Sequence, residues 1–393
     1  MNTKIRLTLM NFLQYAVWGA WLISLGAYLG NTLKFDGLQI GSFFATMGIA
    51  SLFMPAVMGI IADRWIPAQR LLGLCHLFAA GFITLAATRT DYNSLYTLVL
   101  LSVMFYMPTI ALSNSVAYNA LEKAGLDTVT HFPPIRVWGT VGFICAMWVV
   151  DLGKMGLSAT QLYFSATLGL ILGLYSFTLP NCPINRSGGG KSIVDLLGLR
   201  AFALFKQRKM AIFFIFSMLL GMSLQITNAF ADGYIKSFGD TGIHGAKYLG
   251  TFGVEHSTIL ISLSQISETL CILLIPFFLK RFGIKRVMLI AMFAWVLRFA
   301  LLGAGNPGPG VWMFILSMIV YGVAFDFFNI SGSLFVEKET SAAIRSSAQG
   351  VFMIMTNGLG ALIGSYLAGW VVNHYGWPLS WYLFAGFSLV VAI

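Results

Sequence analysis

Two carboxylates stand inside stretches that otherwise read as lipid-soluble. Glu268 closes SQISE (Ser264–Glu268), between HSTILISL and TLCILLIPFFL, and Asp326 follows a long apolar run in YGVAFDFFNISG (Tyr321–Gly332). A carboxylate at the centre of a bilayer costs roughly 2.5–3.5 kcal/mol on insertion scales. Residues that expensive point to a task, either binding hydroxyls or carrying a proton. Other polar groups share single helix faces, because residues three or four apart are neighbours on a helix. Arg136, Thr140 and Phe143 form one stripe, and Gln225 with Asn228 another. Gln265 pairs with Glu268, and Tyr321 with Phe325, with Asp326 adjacent and Asn329 one turn on. Amides and carboxylates exchange hydrogen bonds with sugar hydroxyls and base edges, and aromatic faces stack on π-systems. The set suits a neutral, polyhydroxylated, flat ligand. Structural alternatives stand beside it: Arg136 snorkelling to the interface, Gln225–Asn228 joining helices, the phenylalanines as core, and Arg298 in WVLRFALL pairing with a carboxylate.

The elements that must position these groups are membrane helices. Of the 393 residues 58% are hydrophobic and 10% charged, with a mean hydropathy of +0.81. A soluble domain carries about 25% charged residues. Apolar stretches of about 20 residues, long enough to cross the hydrocarbon core as helices, recur throughout. Period-2 alternation is missing, which argues against a β-barrel. The fold class is an all-α membrane protein. Approximate spans are 7–30, 38–62, 71–88, 94–120, 135–153, 159–180, 209–235, 257–279, 287–304, 311–335, 347–373 and 381–393. The twelfth is shorter than the ~20 residues a span needs, as expected of a truncated or trimmed final helix. Lys4 and Arg6 before the first apolar run resemble a signal peptide, but the run is long and continues into Gly26–Gly30, so a retained first helix is expected.

The net charge of +10 describes topology rather than a nucleic-acid partner. Roughly 17 of the 24 Lys and Arg fall in the N-terminus and the even-to-odd loops, against about 5 in the opposite set. That asymmetry places the N-terminus and the central loop in the cytoplasm. Cys75, Cys145, Cys182 and Cys271 are scattered, and neither a disulfide nor a metal site is expected. The five histidines are dispersed and no HExxH or GxSxG occurs, so an enzyme is not expected, nor any cofactor.

Between spans six and seven, NCPINRSGGGKSIVDLLGLRAFALFKQRK begins as a flexible linker and continues as an amphipathic helix suited to the anionic leaflet. Its SGGGK lacks the spacing of a phosphate-binding loop. The cut yields an N-terminal six-helix bundle over 1–180, a cytoplasmic linker over 181–208 and a C-terminal six-helix bundle over 209–393. Faint echoes support two repeats: IRVWGTVGF (Ile135–Phe143) with IRSSAQGVF (Ile344–Phe352), and Pro55 with Pro276. GIIADRWIPAQR (Gly59–Arg70) resembles the signature loop of the major facilitator superfamily, without its usual glycine after Asp63–Arg64. The resemblance implies that Asp63 and Arg64 help hold the halves in one conformation. KRFGIKR (Lys280–Arg286) stands at the equivalent place in the second half.

Over nearly the whole chain the sequence resembles the nucleoside:proton symporter family. The resemblance rests on FLQYAVWGAWL (Phe12–Leu22), FPPIRVWGTVGF (Phe132–Phe143), MAIFFIFSMLLG (Met210–Gly221), LQITN (Leu224–Asn228), SQISETL (Ser264–Leu270), IPFFLKRFGIK (Ile275–Lys285) and SMIVYGVAFDFFNISGSLFVEKE (Ser317–Glu339). It implies a twelve-helix major facilitator fold and uptake of nucleoside with a proton across the inner membrane by a monomer among lipids. It also implies a substrate pocket of Arg136, Thr140, Phe143, Gln225, Asn228, Gln265, Glu268, Tyr321, Phe325 and Asp326. Glu268 and Gln265 are then expected to bind ribose in a cavity between the halves, Phe325 to stack, and Asp326, with Glu268 as second candidate, to carry the proton. Lys236–His256 and Asn373–Ser380 depart from the family pattern. A proton-coupled sugar or oligosaccharide symporter of the same superfamily is the alternative, with less need of Phe143 and Phe325.

Overall fold

The computed structural model describes residues 2–184, 199–240, 247–341 and 344–393. The first part of the expected linker helix, 185–198, lies outside the described residues. The long elements in these segments are helices joined by short turns. In order come α1 (Thr3–Gly19), α2 (Gly37–Arg64), α3 (Ala68–Ala87), α4 (Tyr92–Lys123), α5 (Thr128–Leu152) and α6 (Thr160–Ser176). Then follow α7 (Arg208–Ser237), α8 (Ser257–Ala304), α9 (Val311–Glu339), α10 (Arg345–Met353), α11 (Ala361–Tyr375) and α12 (Leu379–Ala392). Among the described residues eight helices are long and apolar enough to cross a bilayer, α10–α11 counting as one. Their outward faces carry large apolar side chains such as Leu273, Phe277 and Trp312, as contact with lipid tails requires.

Local chemistry explains where several helices begin. The Asp91 carboxylate accepts the Ser94 N–H at 2.8 Å and starts α4. That bond holds the Asp91 carboxyl below its ordinary value. Asp127 accepts the Thr130 N–H at 2.9 Å and starts α5 seven residues before the expected Ile135. The capped first turn offsets Pro133 and Pro134, which would otherwise argue for a start after them. The loop expected between spans eight and nine is a single-residue break. Helix α8 runs from Ser257 to Ala304 and is bent at Gly283, with φ 75° and ψ 166°. Only glycine adopts that conformation without strain.

The described residues of Met1–Leu22 and Ile49–Leu197 form one compact unit, and those of Ile23–Gly48 and Gly198–Ile393 form a second. In the first unit α1 packs on α4, α5 and α6, and α3 packs on α4 and α6. Arrival of the chain in the linker is anchored here: Gln69 donates to the Asn181 side chain at 2.6 Å and accepts from the Cys182 N–H at 2.9 Å. In the second unit α8 packs along α9 and α12, and α7 packs on α11 and on a wide turn at Ile354–Gly360. Residues 37–48 belong to it through contacts such as the Gly37 N–H donating to Asn373 Oδ1 at 2.5 Å.

In the first unit the α1–α5 contact carries site residues. A methyl group placed on Gly142 would overlap the Phe12 carbonyl, and one on Gly19 would overlap the Phe143 backbone. Gly142→Val should therefore force α1 and α5 apart and cost about 1–3 kcal/mol, as overpacking does. A thermal-unfolding measurement in detergent checks this; an unchanged melting temperature would mean that the helices do not touch there.

Candidate functional site

In the first unit the stripe on α5 is held by two aromatic residues of α1. The Arg136 guanidinium lies 3.9 Å from the centre of the Tyr15 ring. The Phe143 ring meets Trp18 edge-on, with centroids 6.4 Å apart at 86°. Tyr15 and Trp18 are three apart on α1, and Arg136 and Phe143 seven apart on α5, so one face of each helix supplies the contact. Thr140, between them, is half-buried. Beneath Trp18 lies a buried polar network. Gln14 donates to Thr109 Oγ1 at 2.7 Å, and Gln14 Oε1 is 2.8 Å from His76 Nε2. The Tyr106 hydroxyl donates to the Gln14 carbonyl at 2.8 Å. Since the Gln14 amide nitrogen is spent on Thr109, its oxygen accepts, which makes His76 the Nε2–H tautomer. On α4 a cleft is lined by Ala111, Asn114, Ser115, Tyr118 and Asn119.

In the second unit α8 and α9 bring the two opening motifs together. A methyl group on Gly322 would stand 2.6 Å from the Ser267 backbone, and the Ser267 hydroxyl donates to the Ile319 carbonyl. This close approach brings the segment of α8 that carries Gln265 and Glu268 against the segment of α9 that carries Tyr321, Phe325 and Asp326. Glu268 and Asp326 lie within Coulombic reach of each other and of Tyr321. The Tyr321 and Phe325 rings are parallel, 5.5 Å apart at 5°. Asp326 is 4% exposed, and among the described residues its Oδ2 has no hydrogen-bond partner; the same holds for Gln265 Oε1. On α7 the Asn228 amide donates to Gln225 Oε1 at 3.4 Å. Arg298 donates to the Ser317 carbonyl at 2.7 Å and lies over the Tyr321 ring. Asp63 and Arg64 are exposed in the last turn of α2.

Buried acceptors normally have partners, and each exception asks for a reason. Here one such acceptor is on α8, at Gln265, and the other on α9, at Asp326, next in sequence to the parallel pair of rings, groups that a ligand with hydroxyls and a flat base would use. A model of the family described as "Nucleoside H+ symporter" matches residues 1–393. The nucleoside permease NupG of Escherichia coli (strain K12) is 51% identical over 399 residues, covering 100% of this chain and 94% of that protein. The chain belongs to the nucleoside H+ symporter family. It is also 50% identical to the xanthosine permease of E. coli (strain K12), over 100% of this chain and 95% of that one. The crystal structure of nucleoside transporter NupG matches with a TM-score of 0.93 at 51% identity, covering 100% of this chain and 98% of that one.

Several partners in this family member escaped the sequence reading. Tyr15, Trp18, Gln14, His76 and Tyr106 sit in segments that look like ordinary span; only packing puts Tyr15 on Arg136 and Trp18 on Phe143, and joins Gln14, His76 and Tyr106 into the network behind them. Asp232 escaped for another reason. It is 1% exposed on α7, paired with Lys236 at 2.7 Å and accepting from Ser257 at 2.5 Å and Thr258 at 3.1 Å. Its i, i+4 spacing from Lys236 was a readable signal; the hydroxyls at the start of α8 were not.

Proposed function

We infer that the protein carries nucleosides together with protons across the inner membrane by alternating access, as a multi-pass monomer and not as an enzyme. The observations that carry the reading at the level of the site are two buried acceptors, on Gln265 of α8 and Asp326 of α9, with no hydrogen-bond partner among the described residues, and the Tyr321–Phe325 stack on α9. Glu268 and Gln265 accept and donate to ribose hydroxyls, Phe325 stacks on the base, and Asp326 carries the proton with Glu268 as its coupled neighbour. Arg136, Thr140 and Phe143 of α5, and Gln225 and Asn228 of α7, complete the recognition set. Asp63 and Arg64 act as a conformational loop.

The finer architecture is a twelve-helix major facilitator fold with six-helix bundles over 1–180 and 209–393. Its support is the bend at Gly283, which makes α8 two spans, together with α1, α6 and α12, apolar helices slightly shorter than the eight long ones. The excess of Lys and Arg in the N-terminus and even-to-odd loops supports a cytoplasmic N-terminus.

Uptake of labelled uridine, adenosine, xanthosine and a disaccharide into proteoliposomes, with and without an imposed proton gradient, tests this function. Nucleosides are expected to accumulate only when protons flow inward. Accumulation of the disaccharide in their place would transfer the protein to the sugar symporters.

A further inference from the structure

Arg298 is 2% exposed on α8 and lies in the second half of that helix, beyond the bend at Gly283. Burying a guanidinium is costly unless its charge and donors are met. Among the described residues the Arg298 Nε has no hydrogen-bond partner, and Nη1 stands 3.5 Å from Ser264 Oγ; the other two contacts of the guanidinium both lead toward Tyr321. Arg298 Nη1 donates to the Ser317 carbonyl at 2.7 Å, while the Ser317 hydroxyl donates back to the Arg298 carbonyl at 3.0 Å. This reciprocal pair joins α8 to α9 one turn before Tyr321. The guanidinium carbon then stands 4.6 Å from the centre of the Tyr321 ring. On α9 that ring is parallel to Phe325 at 5.5 Å, and the Trp295 ring meets it edge-on at 6.0 Å. Tyr321 is thereby enclosed by Arg298, Trp295 and Phe325. Phe325, half-buried, is the member of the group with a remaining accessible face.

We propose that Arg298 is a positioning residue for base recognition: held by Ser317, it fixes the plane of Tyr321, and Tyr321 fixes the plane of Phe325 on which the base stacks. The inference rests on the nucleoside reading above and adds to it a residue that does not touch substrate. A cation over a ring face restrains the ring's tilt as well as attracting it. A second ring stacked in parallel carries that restraint one residue further. Lysine does not reproduce it, because its compact ammonium keeps a charge and a donor but has no planar face to lay on the ring.

The test is the ratio of affinities for uridine and 5,6-dihydrouridine, measured by equilibrium binding to purified protein. The two share ribose and hydrogen-bonding edges, but dihydrouridine has lost the flat aromatic base. The parent should prefer uridine by about tenfold, the scale of base–aromatic stacking. Arg298→Lys should bring that ratio close to one while leaving dihydrouridine affinity nearly unchanged. Ser317→Ala, which removes the returning hydroxyl but keeps the carbonyl that holds Arg298, should lower the melting temperature and leave the ratio intact. Where Arg298→Lys does not yield folded protein, Tyr321→Leu breaks the link with Arg298 in place and should lower the ratio equally. A parental ratio in Arg298→Lys or in Tyr321→Leu overturns the proposal, as does an equal fall in Ser317→Ala. A parent that binds both nucleosides alike also overturns it. A parent that binds neither would instead remove the nucleoside reading on which it rests.

Discussion

Asp326→Asn should insert and fold like the parent yet fail to accumulate nucleoside against a gradient. The amide keeps the shape of the carboxyl and most of its hydrogen-bonding capacity, but it cannot take up and release a proton. Asp326 is 4% exposed on α9, within Coulombic reach of Glu268, with one oxygen lacking a partner among the described residues. A symporter converts an inward proton gradient into substrate accumulation only if the loaded and empty carriers differ in protonation. Without the exchanging group, the substrate still binds and the carrier still reorients. Two assays separate the outcomes: counterflow exchange of nucleoside should persist, while accumulation driven by an imposed proton gradient should disappear. Accumulation at the parental rate would remove Asp326 from the coupling mechanism. Loss of both exchange and binding would assign it to substrate recognition instead.

Glu268→Gln should weaken ribonucleosides more than analogues that lack ribose hydroxyls. A hydrogen bond to a charged group contributes about 1.5–3 kcal/mol, which corresponds to a loss of roughly ten- to a hundredfold in affinity. An analogue without the hydroxyl had little of that to lose. The check is equilibrium binding of ribo-, 2′-deoxy- and 3′-deoxynucleosides to parent and mutant. If Glu268 serves only to balance a nearby cation, the mutation should lower the affinity of the whole panel alike or destabilise the protein, and uniform losses would end the ribose assignment. Gln265, one turn away on α8, should show the same ordering with a smaller loss, because its amide is neutral.

Much of this was legible in the residues because the bilayer permits so little. In hydrocarbon the backbone must satisfy its own hydrogen bonds, so long apolar runs had to be helices and their approximate ends could be read from charges and glycines. The same solvent makes polar groups conspicuous. Glu268, Asp326, Arg298 and the amide pairs stood out by their expense, and helical spacing alone placed Gln265 with Glu268 and Tyr321 with Phe325. Where reading failed, a local contact had outweighed the pattern. Asp127 starts α5 ahead of two prolines, and Gly283 reduces an expected loop to one bent residue.

Spacing along one helix says nothing about which other helix it meets, and that is what the tertiary structure decided. The sequence by itself determined a helical membrane protein, its family, and the polar residues that lipid would not tolerate without a task. Packing decided that Gly322 lies against Ser267, bringing the two carboxylates together, and that Tyr15 and Trp18 of α1 hold Arg136 and Phe143. It also decided the place of Arg298, which the sequence left open to a partner carboxylate and which the structure lays over Tyr321. The physical reason is one of range. Hydropathy and periodicity act over a few residues of one chain segment, whereas a ring over a guanidinium or a carbonyl against a glycine depends on two surfaces far apart in sequence meeting within a few ångströms.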